Sequence, residues 1–274
     1  MNFGKYTLVN GTFILSDDYQ LSGLDLKALN FTERFRSIRT QLPFFNETLE
    51  LIRYKLELYN QTFPEFTNND GAELKRQLER TLAKNKHYLG AILYFTIRFA
   101  GNKIHWSVQS EKLSETVFEL NDKGLYIFAF EEIQKPVSAI SNLSLGSEIY
   151  WNLAIAQLKD RVDDRILILN PENHVLEVPE SNIYTIKGNL VSTPHISDGA
   201  YADISQPKLF DAINRLNLKF SDETPLTIET VLESDEVFIM NAIEGIRWIV
   251  GFEGKRYFNT TTRKINDMLN RQLV

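Results

Sequence analysis

The chain contains no cysteine among its 274 residues. This absence excludes disulfide bonds, thiolate metal sites, iron–sulfur clusters and cysteine nucleophiles together. Histidine is also scarce, because the four residues of this type are scattered singly along the chain. Such isolated residues do not give the spacing that a set of metal ligands requires. The sequence therefore predicts a protein without a metal centre.

A surplus of basic residues and a long apolar run are also lacking. The formal net charge is −6, and nucleic acids and anionic membrane surfaces are bound through a basic footprint. The longest apolar run, residues 91–97, is far shorter than the roughly 18 residues needed to cross a bilayer. The first residues do not have the basic-then-apolar layout of a signal peptide. We expect no nucleic-acid or membrane partner, and a cytoplasmic location.

The material for a buried core is abundant. Hydrophobic residues make up 43% of the chain and aromatic residues 12%, whereas proline and glycine number only 8 and 13. This composition excludes disorder, and the length fits one large domain or two modest ones. Between residues 109 and 123 the apolar density falls and charge rises. The sequence thus predicts an N-terminal α/β domain over residues 1–115 and a strand-rich C-terminal domain over residues 116–274.

Hydrophobic periodicity predicts the elements of the N-terminal domain. A hairpin is expected around Gly11, one helix with Asn46 as its N-cap, and a second helix after Asp70, where three leucines recur every four residues. Two strands follow, over residues 91–99 and 104–108, joined by a turn at Gly101 and Asn102.

Strand patterns dominate the C-terminal domain. A helix is expected over residues 148–160 with Ile149, Leu153 and Ala156 on its apolar face, another over residues 207–216, and a last one after Thr260. The predicted strands cover residues 125–130, 165–170, 174–178, 183–187, 237–241, 247–252 and 255–258. Periodicity does not give the order of these strands in a sheet.

One stretch has a more specific pattern. Residues 175–177 read Val-Leu-Glu, residues 181–184 read Ser-Asn-Ile-Tyr, and Thr193 is followed by Pro194. Residues 235–241 read Asp-Glu-Val-Phe-Ile-Met-Asn. These segments resemble the signature of the class IV aminotransferases, the family of branched-chain and D-amino-acid aminotransferases and 4-amino-4-deoxychorismate lyase.

The resemblance implies a two-domain α+β or α/β architecture of the D-amino-acid aminotransferase type. It also implies a homodimer and a pyridoxal phosphate (PLP) cofactor in the cleft between the domains. Glu177 falls on the family's acidic residue that hydrogen-bonds the pyridine nitrogen of PLP, where a carboxylate keeps the ring an effective electron sink.

The lysine that forms the Schiff base with PLP has no match at its position. Registered on residues 141–143, which read Ser-Asn-Leu, the family's lysine corresponds to Ser144. A serine hydroxyl does not form an imine. The nearest lysines are Lys135, before Pro136, and Lys159, a whole helix away.

The resemblance gives a second test at the phosphate of the cofactor. The family's phosphate-binding arginine corresponds to Leu51, and its glycine turn after Thr-Pro corresponds to the segment that begins Asp203, Ile204, Ser205. A carboxylate beside a phosphate is repelled, and no arginine compensates for it. We expect Ser144, Glu177, Asp203, Ile204, Ser205 and Asn241 to line one interdomain pocket as a remnant of the cofactor site, with Leu51 at its edge.

Three interpretations stay open at this point. The favoured one is a non-catalytic class IV homologue that holds no cofactor and binds a small molecule in the cleft or a partner. The second is an active PLP-dependent aminotransferase or lyase that uses Lys135 or Lys159. The third is a PLP-independent hydrolase or lyase built around Glu177 and Ser144, for which no histidine has an evident place.

Overall fold

The structure is a computed structural model that describes residues 3–19, 29–100, 103–130, 132–158, 161 and 164–273. The chain divides into two compact units, Met1–Val117 and Phe118–Val274, called unit 1 and unit 2 below. The predicted turn at residues 101–102 and the lysine at position 159 lie outside the described residues.

In its described residues, unit 1 has one antiparallel sheet and three α-helices. The sheet has the strand order β2-β1-β5-β4-β3. In chain order the elements are β1 (Tyr6–Val9), β2 (Thr12–Leu15), β3 (Leu29–Ile38), α1 (Phe45–Leu58), α2 (Pro64–Thr67), α3 (Ala72–Asn85), β4 (Gly90–Ala100) and β5 (Lys103–Leu113). The predicted hairpin at Gly11 and both longer predicted helices are present. Strand β5 is longer than predicted, because it pairs with β4 along its whole length as far as Leu113 opposite Gly90.

The start of α1 differs from the prediction. Its N-cap is Phe44, without a side-chain hydrogen bond, and Asn46 lies inside the first turn. Phe44 and Phe45 are both buried, and the Thr48 hydroxyl donates a hydrogen bond to the carbonyl of Phe44. Burial of the two phenylalanines therefore fixes the start of the helix, and the capping preference of asparagine does not.

Unit 2 is richer in strands, as predicted. In chain order the elements are β6 (Leu125–Phe130), α4 (Ser144–Leu158), β7 (Arg165–Leu169), β8 (Val175–Val178), β9 (Ser181–Lys187), β10 (Leu190–Ser192), α5 (Gln206–Arg215), β11 (Lys219–Ser221), α6 (Ile228–Glu233), β12 (Glu236–Asn241), β13 (Gly245–Phe252), β14 (Lys255–Arg256) and α7 (Thr260–Leu273). All seven predicted strands are present within two residues at each end. The three-residue strands β10 and β11 and the short helix α6 were not predicted, because they are too short to show a periodic pattern.

The sheet of unit 2 closes on itself. Its order runs β11-β10-β9-β12-β13-β6-β7-β8, and β8 also pairs with β9. Six strands therefore form a ring, from β9 through β12, β13, β6, β7 and β8 back to β9. Because side chains alternate between the faces of a strand, Leu167 and Leu169 of β7 lie in the core enclosed by the ring, whereas Ile166 and Ile168 lie on its outer face.

Helix α4 covers part of that outer face. Its buried residues are Ser147, Trp151 and Ala154, and the last two pack with Ile166 and Ile168. The predicted apolar face was wrong, because Ile149 is 64% exposed and Leu153 is 38% exposed. Apolar residues are distributed over all sides of the helix, so periodicity could not identify the side that faces the sheet. Among the described residues no helix combines the length and the apolar character needed to cross a bilayer.

Candidate functional site

Glu177 is an acidic residue with no exposure to solvent. It lies on β8, opposite Ile168 of β7 on one side and Asn182 of β9 on the other. Its side chain therefore belongs to the outer face of the ring, beneath α4. A charged group buried in this way requires partners, because the protein interior does not replace the hydration that it loses.

Lys135 is the charged partner of Glu177. Its Nζ lies 2.7 Å from Oε2 of Glu177, and neither side chain is exposed. The backbone N–H of Lys135 donates to the carbonyl of Leu169, which fixes the segment before α4 against the end of β7. Nζ also donates to the hydroxyl of Ser147 at 2.8 Å, and that hydroxyl donates to the carbonyl of Ser141.

Two further groups donate to the same carboxylate. Nε1 of Trp151 is 2.7 Å from Oε1 of Glu177, and the backbone N–H of Tyr201 donates to Oε2. The rings of Trp151 and Tyr201 meet edge to face with centroids 4.9 Å apart. Both oxygens of Glu177 are thus engaged by groups of unit 2 itself.

Burial acts on the ionisation of both members of the pair. Desolvation raises the pKa of Glu177 and lowers the pKa of Lys135, and the attraction between the two charges partly offsets each shift. Removal of either partner would leave the other buried without its counter-charge.

Asp203 is another buried carboxylate of unit 2, and it precedes α5. Its Oδ1 accepts hydrogen bonds from the backbone N–H of Ser205 and from the backbone N–H of Ala242, each at 2.9 Å, and from the Ser205 hydroxyl. Its Oδ2 accepts a longer bond of 3.3 Å from the Tyr201 hydroxyl. Desolvation raises the pKa of Asp203, and these hydrogen bonds act in the opposite direction.

Tyr201 and Asn182 connect the two carboxylates. Tyr201 donates its backbone N–H to Glu177 and its hydroxyl to Asp203. The side chain of Asn182 donates to the carbonyl of Tyr201 and accepts from the backbone N–H of Asp203 at 3.0 Å. Lys135, Glu177, Tyr201, Asn182 and Asp203 therefore form one continuous hydrogen-bonded network, called the Glu177–Asp203 network below.

The other predicted site residues lie at various places around this network. Ser205 bonds to Asp203 directly, and Ile204 between them is half-buried. Asn241, at the end of β12, donates to the Ser181 hydroxyl at 2.8 Å and precedes Ala242, which donates to Asp203. Ser144 is the first residue of α4, one turn before Ser147. Leu51 lies on α1 in unit 1, where it is half-buried.

A cavity of about 310 Å³ opens beside Asn241 and Ser181. Ile155 and Leu158 of α4 form an apolar wall, and Arg165 lies at the polar side. Ser144, Glu177 and Asp203 are not among its described lining residues.

Several members of the network, and residues bonded to it, were not found from the sequence. No role was predicted for Ser147 or Tyr201, Trp151 was interpreted as a core or dimer contact, and Lys135 was considered only as a substitute for the missing lysine. Asn182 gave no distinct signal, because its strand also contains the polar residues Ser181, Thr185 and Lys187. The described residues contain no group of three or more side chains that could hold a metal ion.

Comparisons with known proteins agree with this fold. No curated protein sequence matches the chain. The structure is similar to a branched-chain aminotransferase of Thermoproteus uzoniensis solved with norvaline, with a TM-score of 0.82, 14% identity and coverage of 98% of this chain and 94% of that one. It is similar to a branched-chain amino acid aminotransferase of Thermobaculum terrenum in its PLP form, with a TM-score of 0.83, 15% identity and coverage of 100% and 95%.

A third similar structure is of a protein named for a different activity. It is a putative 4-amino-4-deoxychorismate lyase of Legionella pneumophila, with a TM-score of 0.75, 19% identity and coverage of 94% of this chain and 98% of that one. The sequence model of the amino-transferase class IV family matches residues 66–251, more than half of the chain. The chain that forms this network and this ring of strands therefore belongs to the class IV amino-transferase family.

Proposed function

We propose that this chain is a non-catalytic class IV homologue, in which side chains of the protein fill the place of the PLP cofactor. The observation that carries the proposal is the engagement of both Glu177 oxygens by Lys135, Trp151 and the backbone of Tyr201. In the family resemblance, this carboxylate is the partner of the pyridine nitrogen. A pyridinium N–H would have to displace a buried ammonium to reach it.

The other cofactor anchors do not fit PLP either. The residue in register with the family's Schiff-base lysine is Ser144, which offers no amine. The position of the phosphate-binding arginine is Leu51 on α1. Asp203 already accepts the backbone N–H of Ser205, at the turn that corresponds to the phosphate site, and the backbone N–H of Ala242, which follows β12. We derive no reaction step through PLP for this chain.

An active PLP enzyme that uses Lys135 is the second candidate, because Lys135 contacts the very residue that would bind the pyridine ring. The geometry argues against it. The aldehyde carbon of PLP lies across the ring from the pyridine nitrogen, so an amine bonded to the same carboxylate as that nitrogen cannot also reach the aldehyde. Lys135 would have to leave Glu177 for the chemistry to begin.

A cofactor-independent hydrolase built on Glu177 and Ser144 has less support. Lys135 donates to the hydroxyl of Ser147 as well as to Glu177. None of these three side chains is exposed to solvent. A substrate would have no access to them.

Incubation of the purified protein with PLP, followed by borohydride reduction and peptide mapping, tests the proposal. We expect no imine absorption band and no stoichiometric adduct. A stoichiometric PLP adduct on Lys135 or on Lys159 would overturn the proposal. An adduct assigned to Lys135 must disappear in the Lys135→Met variant. Lys187→Met is the matched control, because Lys187 is an exposed lysine whose loss reports surface labelling only.

A reconstitution variant tests whether the three changed positions account for the loss. Ser144→Lys, Leu51→Arg and Asp203→Gly together are expected to restore PLP binding, and addition of Lys135→Met frees Glu177 for the pyridine nitrogen. Asp203→Gly alone is expected to restore no covalent chemistry. A combined variant that folds but stays colourless with PLP would place the cause elsewhere in the pocket.

Homodimerisation and a small-molecule ligand are part of the same proposal. The exposed apolar residues Ile149 and Ile155 on α4 are compatible with a covered surface, and light scattering of the purified chain measures the oligomeric state directly. The cavity beside Asn241 and Ser181 is the first place in unit 2 to look for a bound small molecule. A cytoplasmic location stays a prediction.

A further inference from the structure

The cavity beside Asn241 and Ser181 lies on the other face of the strands from the Glu177–Asp203 network. Ser181 and Ile183 share one face of β9, and Ile183 belongs to the core enclosed by the ring. Asn182, between them, faces outwards and bonds to the network. Asn241 bears the same relation to Ile239 on β12. Ser181 and Asn241 therefore mark an open end of the ring, and the cavity there is separate from the network.

The directions of the hydrogen bonds around Asn241 are fixed by its neighbours. Oδ1 of Asn241 accepts the backbone N–H of Ile243 at 2.9 Å and the backbone N–H of Glu244 at 2.7 Å. A backbone N–H group only donates, so the atom it reaches is the amide oxygen and the other atom is the amide nitrogen. This nitrogen donates to the Ser181 hydroxyl at 2.8 Å, so the oxygen of Ser181 is the acceptor in that bond.

Two donor hydrogens are left over by this arrangement. The hydroxyl hydrogen of Ser181 and the second amide hydrogen of Asn241 have no acceptor among the described residues. Both residues are only 3% exposed, and both line the cavity. A buried donor without an acceptor is costly. The pair therefore favours an occupant of the cavity that brings acceptor oxygens.

The wall opposite these donors is apolar. It is formed by Ile155 and Leu158 in the last turns of α4 and by Ile166 of β7. An occupant that satisfies the donors at one end therefore meets hydrocarbon at the other. The volume of the cavity is about 310 Å³, which is at the lower limit of ligand cavities and suits an occupant of about six carbons.

Charged groups stand at the polar side of the cavity. Arg161, Arg165, Glu180 and Glu244 all belong to its lining. Glu244 is shared between two guanidinium groups, because its Oε2 lies 3.7 Å from Arg165 and 4.0 Å from Arg247. Both distances exceed those of a direct hydrogen bond. The Arg165 side chain is 24% exposed and brings a positive charge to the same end as the two leftover donors.

We propose that this cavity binds a small carboxylate with an apolar tail. Its oxygens accept the leftover hydrogens of Ser181 and Asn241 and lie beside Arg165, and its tail lies against the apolar wall of α4. The inference deepens the ligand part of the proposed function and rests on it, because it names the class of molecule that unit 2 holds in place of a cofactor.

Calorimetric titration of the purified full chain with hexanoate tests the head group and the tail separately. Hexanamide keeps the tail and loses the charge and one acceptor oxygen, whereas acetate keeps the head group and loses the tail. We expect hexanoate to bind saturably at one site per chain, at least about tenfold more tightly than either comparison compound. The inference is overturned if hexanoate does not saturate or if all three compounds bind alike.

Asn241→Asp reverses a hydrogen bond without removing it. Aspartate still accepts the N–H groups of Ile243 and Glu244, and its second oxygen accepts from Ser181, so both leftover donors disappear. We expect this variant to bind hexanamide, which can donate to the new carboxylate, more tightly than hexanoate. The opposite order of affinity, as in the wild type, would contradict the inference.

Ser181→Ala replaces this variant if Asn241→Asp does not fold. It removes the hydroxyl donor and keeps the amide of Asn241. A hydrogen bond to a charged acceptor is the stronger kind, so we expect hexanoate to bind about tenfold more weakly and hexanamide to lose less. Unchanged affinity for hexanoate would count against the inference.

Arg165→Met and Arg247→Met are a matched pair. Both arginines lie near Glu244, but only Arg165 is among the described lining residues of the cavity. We expect Arg165→Met to weaken hexanoate binding at least about tenfold and Arg247→Met to change it less than about twofold. Equal losses would show that surface charge attracts the probe, and they would overturn the inference.

The titration and the PLP test fail independently. Absence of hexanoate binding leaves the missing Schiff base untouched, because that property is measured by the absorption of PLP. A PLP adduct on Lys135 would overturn the proposed function through a residue outside the described lining of this cavity.

Discussion

The ammonium of Lys135 lies 2.7 Å from a carboxylate oxygen of Glu177, and both side chains are shielded completely from solvent. The two residues are 42 positions apart, so the fold brings them together. A buried pair of this kind need not add stability by itself, but loss of one partner leaves a charge in a medium that solvates it poorly. This relationship makes the network testable by stability measurements, without any knowledge of a ligand.

Lys135→Met is expected to destabilise the protein strongly. The remaining Glu177 carboxylate would be buried without its counter-charge, and loss of one partner of a buried pair costs about 3–5 kcal/mol. Urea unfolding at neutral pH measures this cost. Lys187→Met is the matched control, because its ion pair with Glu233 is exposed and is expected to change stability by less than about 1 kcal/mol.

The double variant Lys135→Met with Glu177→Gln separates charge from packing. Glutamine keeps one acceptor oxygen, which serves either Trp151 or the backbone of Tyr201, and no charge is left buried. We expect the double variant to recover part of the stability that Lys135→Met loses. A Lys135→Met protein as stable as the wild type would contradict the pairing itself.

Trp151→Phe is expected to lose the hydrogen bond from Nε1 to Glu177. A hydrogen bond to a charged group contributes about 1.5–3 kcal/mol, whereas a bond to a neutral group contributes about 0.5–1.5 kcal/mol. Trp248→Phe is the comparison, because its Nε1 donates to the neutral carbonyl of Asn121 at 2.7 Å. Trp151→Phe should therefore lower the free energy of unfolding more than Trp248→Phe.

The loss of ring size is separated from the hydrogen bond by repeating Trp151→Phe in a Glu177→Gln background. The cost of the substitution should fall there, because the acceptor is neutral. An unchanged cost would mean that Trp151 acts through packing alone.

Asp203→Asn is expected to change how stability depends on pH. Burial raises the pKa of Asp203 in the folded state above its ordinary value near 4. The folded protein therefore binds the proton more tightly than the unfolded chain. The contribution of Asp203 to the free energy of unfolding is therefore fully present at pH values below its pKa in the unfolded chain. This contribution is lost as the pH rises through its higher pKa in the folded state.

Asparagine does not titrate, so this loss should be absent from Asp203→Asn. Relative to the wild type, the variant should become more stable as pH rises from 4 to 7, as measured by urea unfolding at each pH. Asp211→Asn serves as control, because Asp211 is an exposed carboxylate on α5 paired with Arg215. A parallel pH dependence in Asp203→Asn and the wild type would show that the Asp203 carboxyl group is not desolvated.

The positions of most elements could be predicted from the sequence, because local patterns carry them. Leu74, Leu78 and Leu82 are buried on α3 as their spacing predicts, and Pro207 lies at the start of α5. The signature around Glu177 and Ser181 predicted the family, which the match over residues 66–251 confirms. The apolar residues of α4 are distributed over all its sides and give no such directional signal, which is why the buried face of this helix was predicted wrongly.

The sequence by itself determined that cysteine chemistry is impossible, and its resemblance to the family predicted Ser144 at the position of the lysine and Leu51 at the position of the phosphate-binding arginine. Only the tertiary structure decided where Lys135 and Asp203 direct their polar groups. Closure of the ring at β8 and β9 places Glu177 beneath α4, and the segment before that helix then delivers Lys135 to it. The end of β12 delivers the N–H of Ala242 to Asp203 from 39 residues away. Such contacts depend on strand pairing between distant segments, and hydrophobic periodicity along the chain contains no information about it.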